Sequence, residues 1–199
     1  MIITIGRQFG SGGKEIGEKV AKRLGYAFYD KEILTMAAEE SGFSPSAMQH
    51  YDEKPSGSLI YSLYMTGAAT SDNLPLNQQL AFAQFNVIRK VAQSDNCVIV
   101  GRCADYVLRE KQNLLTVFLH APMEYRAARV MAENAIDSTA LAEKTIKKQD
   151  KSRADYYNFF THKKWGDAAS AMLSIDTSTL STDDAAEVIA GYAMLMQKR

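Results

Sequence analysis

The sequence predicts an α/β domain built on a parallel sheet with helices on both faces. Three observations carry that expectation. Short apolar runs alternate along the chain with longer segments of helical period, which is the pattern of strands buried on both faces and joined by helical crossovers. The first such run leads at once into a glycine-rich stretch and then into a helix. A length of 199 residues suffices for one such domain with a full core.

The elements follow in order. IITI (2–5) is the first strand, and GRQFGSGGKEIG (6–17) opens directly behind it. KEIGEKVAKRLG places Ile16, Val20 and Leu24 on one helical face and Gly25 at a C-cap. YAFYD (26–30) is a second short strand ending in an aspartate, and KEILTMAAEE (31–40) is helical by composition. Ser44 and Pro45 start another helix, serine as cap and proline in the first turn. From Pro55 to about Leu76 the composition shifts to Ser, Gly, Thr and Asn, with Asp72 the only charge and no sustained period. That stretch reads as a mobile loop inside the domain. Leu76 to Ser94 is a long helix aligning Leu80, Gln84, Val87 and Val91. CVIVG (97–101) is the clearest central strand, LLTVFLHAP (114–122) is the next, and a helix carrying MEYRAARVM follows. A polar helix over roughly 138–158 leads into YNFFTHKKWGD, AMLSID (171–176) is the last strand, and STDD (181–184) caps a closing helix with Ala186, Val188, Ile189 and Tyr192.

Composition narrows the partners. Acidic and basic residues number 23 each, so formal net charge is zero, which gives no argument for a nucleic-acid or membrane partner. Cys97 and Cys103 are too few and too loosely spaced for a disulfide framework or a zinc site, and reduced thiols in a cytosolic protein are the plain reading. His50, His120 and His162 form no ligand pattern. The N-terminus does not resemble a signal peptide, and the apolar runs are far shorter than a spanning helix; LIYSLYM (59–65) is interrupted by Ser62. The expectation is a cytoplasmic chain acting on small molecules, with the oligomeric state left open.

The glycine-rich stretch has the requirements of a phosphate cradle. Converging backbone N–H groups need glycines, and a helix N-terminus behind them favours an anion. Gly10, Ser11, Gly12 and Gly13 supply the first and the helix from about Lys14 the second, with Arg7 and Lys14 as flanking cations. The spacing departs from G-x-x-x-x-G-K-[ST]. Aligned on Gly10 and Gly12, Gly13 stands where the lysine belongs and Lys14 where the hydroxyl belongs. Lys14 then reaches the phosphates from one residue later and Ser11 serves the metal. CVIV ends without the acidic residue that often holds Mg²⁺ in phosphate-loop enzymes.

ITIGRQFGSGGKEIG, YAFYDKEIL, CVIVGRCADYVL, VFLHAPMEYRAARV and DKSRADYYNFF…KKWGD…SIDTS, in order from residue 2 to about 192, resemble the cytidylate kinase-like family of P-loop nucleoside monophosphate kinases. The resemblance implies one P-loop NTPase domain over 1–199, with a five-stranded parallel sheet, an acceptor-binding region at 30–95 and a helical lid at 140–167. It implies Mg²⁺-dependent transfer of the γ-phosphoryl group of ATP to CMP or dCMP.

Single residues take roles on that basis. Arg102 lies past the carboxyl end of a buried strand, where such sheets bind ligands, and a planar guanidinium there can grip a phosphate bidentately. By resemblance it matches the arginine that contacts the monophosphate. Asp105 either orients Arg102 or a hydrated Mg²⁺, or complements the helix dipole. Asp30 matches an acceptor-site aspartate and also stands where it would cap the helix from Lys31. KKQDKSRADYYNFFTHKKWGD (147–167) is basic, as phosphoryl transfer requires of a lid. Arg153 is its candidate catalytic arginine, supported by Arg129 and more weakly by Arg126. Tyr156, Tyr157, Phe159, Phe160 and Trp165 read as lid packing. The rival functional readings are a kinase for a non-nucleotide metabolite and a nucleotide-binding sensor without catalysis.

Overall fold

The computed structural model describes residues 1–53, 74–94 and 96–198. The expected loop at 55–76 lies, as far as residue 73, outside them. Among the described residues the strands are β1 (Ile2–Arg7), β2 (Ala27–Tyr29), β3 (Cys97–Val100), β4 (Leu114–His120) and β5 (Leu173–Asp176). All pair in parallel, in the order β2-β3-β1-β4-β5. The helices are α1 (Gly13–Leu24), α2 (Glu32–Ser41), α3 (Pro45–Tyr51), α4 (Leu76–Val91), the short α5 (Ala104–Val107), α6 (Met123–Asn134), α7 (Thr139–Thr161) and α8 (Thr182–Gln197). The parallel sheet with helices on both faces is the one the alternating pattern predicts.

Side chains of the central strands divide between two cores, which is why those runs are apolar throughout rather than alternating. Ile3, Ile5, Val98 and Val100 face α1 and α8, meeting Ile16, Val20, Ala186 and Ile189. Ile2, Cys97 and Ile99 face the other way, against Ile33, Leu80, Phe85, Val87 and Phe160 of α2, α4 and α7. Each fully buried aliphatic side chain contributes about 1.5–3 kcal/mol. A smaller cluster packs α6 on α7 through Ala127, Val130, Ala142 and Ile146, with Phe9 of the glycine-rich loop against it.

Local signals place most helix ends. Ser44, Ser138 and Ser181 cap α3, α7 and α8, each accepting a backbone N–H at its side-chain oxygen, and Gly25 closes α1 at φ 69°. The polar helix runs to Thr161 instead of about 158, because Tyr156 and Phe160 are buried and extend its packing.

The order of the strands locates a crevice. The chain leaves β1 for β2 on one side and leaves β3 for β4 on the other. Ligands in such sheets bind outside the carboxyl ends at this reversal, here between β1 and β3.

Candidate active site

A cleft of about 860 Å³ opens at that crevice. The loop after β1 and the start of α1 form one end, Asp30, Asp52 and Arg102 line the other, and Arg153 of α7 borders both.

At the loop end, Gly10 and Gly12 have φ of 81° and 80°, left-handed values that a side chain strains to adopt. The turn leaves the N–H groups of Gly12, Gly13 and Lys14 without a hydrogen bond among the described residues. These groups, together with the N-terminus of a 12-residue helix, form an anion-binding nest. The loop is bolted in place from behind. Asp150 accepts the Phe9 N–H (2.7 Å) and Arg126 Nη1 (2.5 Å), and Arg126 also donates to the carbonyls of Phe9 (3.2 Å) and Ala121 (2.9 Å). Arg129 lies against Gly12 and pairs with Glu15 (2.6 Å) and Glu133 (2.7 Å). Hydrogen bonds from Thr182, Arg129 and Lys19 hold the Glu15 carboxyl down at about 2.

The other end is an arginine–carboxylate network. Arg102 donates through Nε and Nη2 to Asp52 (3.0 and 2.9 Å), and through Nη1 to Asp30 (3.2 Å) and to the Val100 carbonyl (3.1 Å). Glu53 accepts from Arg7 (2.6 and 3.3 Å), from Arg153 Nε (3.0 Å) and from the Arg102 N–H (3.2 Å). Arg153 also donates to the Arg7 carbonyl (3.3 Å). The backbone bends to allow this. Glu53, Arg102 and Cys103 take φ of 50–55°, and Gly101, at φ 79°, leaves no room for a Cβ beside Glu53 Oε1 and the Arg7 guanidinium.

Electrostatics follow from this packing. Burial alone would raise the Glu53 carboxyl, but the charges of Arg7 and Arg153 outweigh it and hold the group well below the carboxylate range. At Asp52 burial wins over Arg102, and the carboxyl is pushed up. The Arg102 guanidinium is desolvated, yet Asp52, Glu53 and Asp30 fix it in its charged form. Burial and the neighbouring Arg7 charge push Arg153 down, against the pull of Glu53.

The predicted residues thus divide. Gly10, Gly12, Gly13, Lys14, Asp30, Arg102, Arg129 and Arg153 all line the cleft. Lys14, 61% exposed, lies along α1 at 3.6 Å from Glu18. Ser11 is buried, and its hydroxyl donates to the Gln8 carbonyl (2.8 Å) behind the loop, which does not bring it to a metal in the cleft. Asp30 caps nothing. The helix starts at Glu32 with Lys31 at the N-cap position, and the Asp30 carboxylate turns to Arg102 instead. Asp105 makes no hydrogen bond to Arg102 among the described residues; it accepts the Tyr157 hydroxyl (2.8 Å), and burial pushes its carboxyl up. Arg126 is a buried anchor of the loop rather than a cation facing the cleft.

Glu53 and Asp52 were missed by sequence reasoning, although a pair of acids heading an almost uncharged stretch is a signal that could have drawn attention. Among the described residues no three metal-ligating side chains converge, and Asp30, Asp52 and Glu53 are paired with arginines. The residues present do not form a protein cage for Mg²⁺.

The chain also resembles known proteins. The model of the cytidylate kinase-like family matches residues 2–179. The chain is similar to a solved protein from Eubacterium ventriosum ATCC 27560, described as uncharacterized, at 29% identity and a TM-score of 0.72, covering 97% of this chain and 98% of that one. Shikimate kinase from Acinetobacter baumannii in complex with shikimate aligns at 16% identity and a TM-score of 0.52 over 97% and 92% of the two chains. A gluconokinase from Sinorhizobium meliloti 1021 aligns at 18% and 0.52 over 98% and 93%. The last two likenesses establish the fold alone. No curated protein matches the chain.

Proposed function

We propose that this chain, which belongs to the cytidylate kinase-like family, transfers the terminal phosphoryl group of Mg·ATP to a small acceptor held between Asp30, Asp52 and Arg102. The observation that carries the reading is the open nest of N–H groups at Gly12, Gly13 and Lys14, facing the cleft that the arginine–carboxylate end also faces. Phosphoryl transfer asks the protein for position and positive charge, not for a covalent intermediate. The nest and the α1 N-terminus hold the polyphosphate. Arg129 lies beside the nest, and Arg153 stands between the two ends, where a guanidinium meets charge developing on the moving group.

CMP and dCMP are the acceptors that the family resemblance names. The pairing of Arg102 with two acids favours a second reading, in which the acceptor carries a hydroxyl and no phosphate.

The test is ADP release by the purified protein with Mg·ATP and CMP, dCMP, UMP or AMP, run beside uncharged hydroxyl compounds. ADP formation that depends on an added acceptor is the expected result. Bound ATP with no ADP in any well points to a nucleotide sensor instead.

A further inference from the structure

The arginines at the acceptor end of the cleft are already paired with its own acids. Arg7, Arg102 and Arg153 face Glu53, Asp52 and Asp30 at 2.6–3.2 Å. Arg102 is the arginine positioned to take an acceptor phosphate, and it has the least to offer one. Its side chain is 1% exposed, and four of its N–H donors, out of the five a guanidinium has, are spent on Asp52, Asp30 and the Val100 carbonyl. A phosphate monoester could grip it bidentately only by displacing Asp52 or Asp30. The displaced carboxylate would then stand buried beside an arriving dianion, a like-charge placement that burial makes unfavourable.

The same end is well made for a different group. A carboxylate oxygen held by one guanidinium N–H keeps a lone pair for a further donor. Asp30 and Asp52 both line the cleft, and Asp30 Oδ2 takes no hydrogen bond among the described residues. What these two carboxylates can still accept is a neutral donor such as an O–H.

We infer that the acceptor is a small uncharged hydroxyl compound, of polyol, sugar or nucleoside type, whose hydroxyl is oriented by Asp52 and Asp30. This rests on the phosphotransferase reading above and narrows its substrate. In the reaction the hydroxyl oxygen forms a bond to the γ-phosphorus of ATP. The bond from that phosphorus to the β,γ-bridging oxygen breaks, and its electron pair leaves with ADP. The hydroxyl proton passes to the Asp52 carboxylate and then to solvent. Burial raises the Asp52 carboxyl, in the direction that suits a proton acceptor. Glu53, which is bound to two arginines, is a positioning residue and takes no proton.

The decisive experiment uses the whole chain with its loop filled by the Mg²⁺ complex of a non-hydrolysable ATP analogue. CMP and cytidine, which differ only by the phosphate, are titrated separately by calorimetry, and ADP release from ATP is then measured with CMP, cytidine, D-ribose, ribitol and glycerol. The inference expects no heat from CMP at millimolar concentration, and ADP release above background with at least one hydroxyl compound but not with CMP. Asp52→Asn should lower that release about 100-fold while changing affinity for the ATP analogue less than about twofold; Asp30→Asn, which leaves the bidentate pair intact, gives a second readout if the first variant folds poorly. Turnover of CMP, or CMP binding tighter than about 1 mM, overturns the inference and leaves the phosphotransferase standing. If the ATP analogue itself gives no heat, it is the phosphotransferase reading that has failed.

Discussion

The two ends of the cleft are built on opposite plans. The loop end exposes donors from consecutive residues, Gly12 to Lys14, that are unpaired among the described residues, so none of these would have to be displaced before an anion binds. The acceptor end gathers charged groups from five separate places along the chain and satisfies them against each other. A site made from backbone is ready whenever its turn is folded. A site made from paired charges admits only what can add to those pairs or outcompete them, so its selectivity lies in what it already holds.

That contrast can be broken most directly at Glu53. Glu53→Ala leaves Arg7 and Arg153 facing each other without a counter-charge, and should cost about 3–5 kcal/mol of stability in denaturant unfolding. Adding Arg153→Met to that variant should recover part of the loss. A cost under about 1 kcal/mol for the single change would mean that the acceptor end is not held by this pairing.

Arg153→Ala should lower kcat by about 10²–10³, while the Kd for ATP, set at the loop end, moves less than about threefold. Equal losses in both would place Arg153 in ground-state binding and blur the division between the ends.

Gly101→Ala puts a Cβ against Glu53 and Arg7 at a left-handed φ; about 2–3 kcal/mol of destabilisation is expected from strain plus a displaced ion pair. Lys14→Ala, at an exposed position, should stay within about 0.5 kcal/mol in stability and show its effect only in ATP affinity.

The contrast also shows in acid sensitivity. The folded-state carboxyls of Glu53 and Glu15 are held below their ordinary value. Their contribution is therefore present above about pH 4.5 and is lost as pH falls. Glu15→Gln should flatten the part of the stability profile between about 4.5 and 2, measured by urea midpoints across that range.

Legibility in the sequence followed the same division. The sheet, the glycine turn and the serine caps depend on neighbours within a few residues, and each left a mark in the order of amino acids. Arg102 was found because it follows a strand end. Its partners Asp52 and Asp30 stand 50 and 72 residues away, and Glu53 is 100 residues from Arg153. Nothing local marks such a pairing. Asp30 and Asp105 illustrate the difficulty: each sits where a helix start invites a simple local role, and the tertiary structure turned Asp30 to a distant guanidinium and Asp105 to a distant phenol.

One rod crosses this whole arrangement. The 23-residue α7 holds the glycine loop through Asp150, the acceptor end through Arg153 and the deep core through Phe160. At 1.5 Å per residue it is about 35 Å long, so a tilt of about 3° about one end moves the other by nearly 2 Å. Such a member acts as a lever with two loads near its middle. A torque applied at the glycine loop is delivered, along one unbroken helix, to the arginine–carboxylate end.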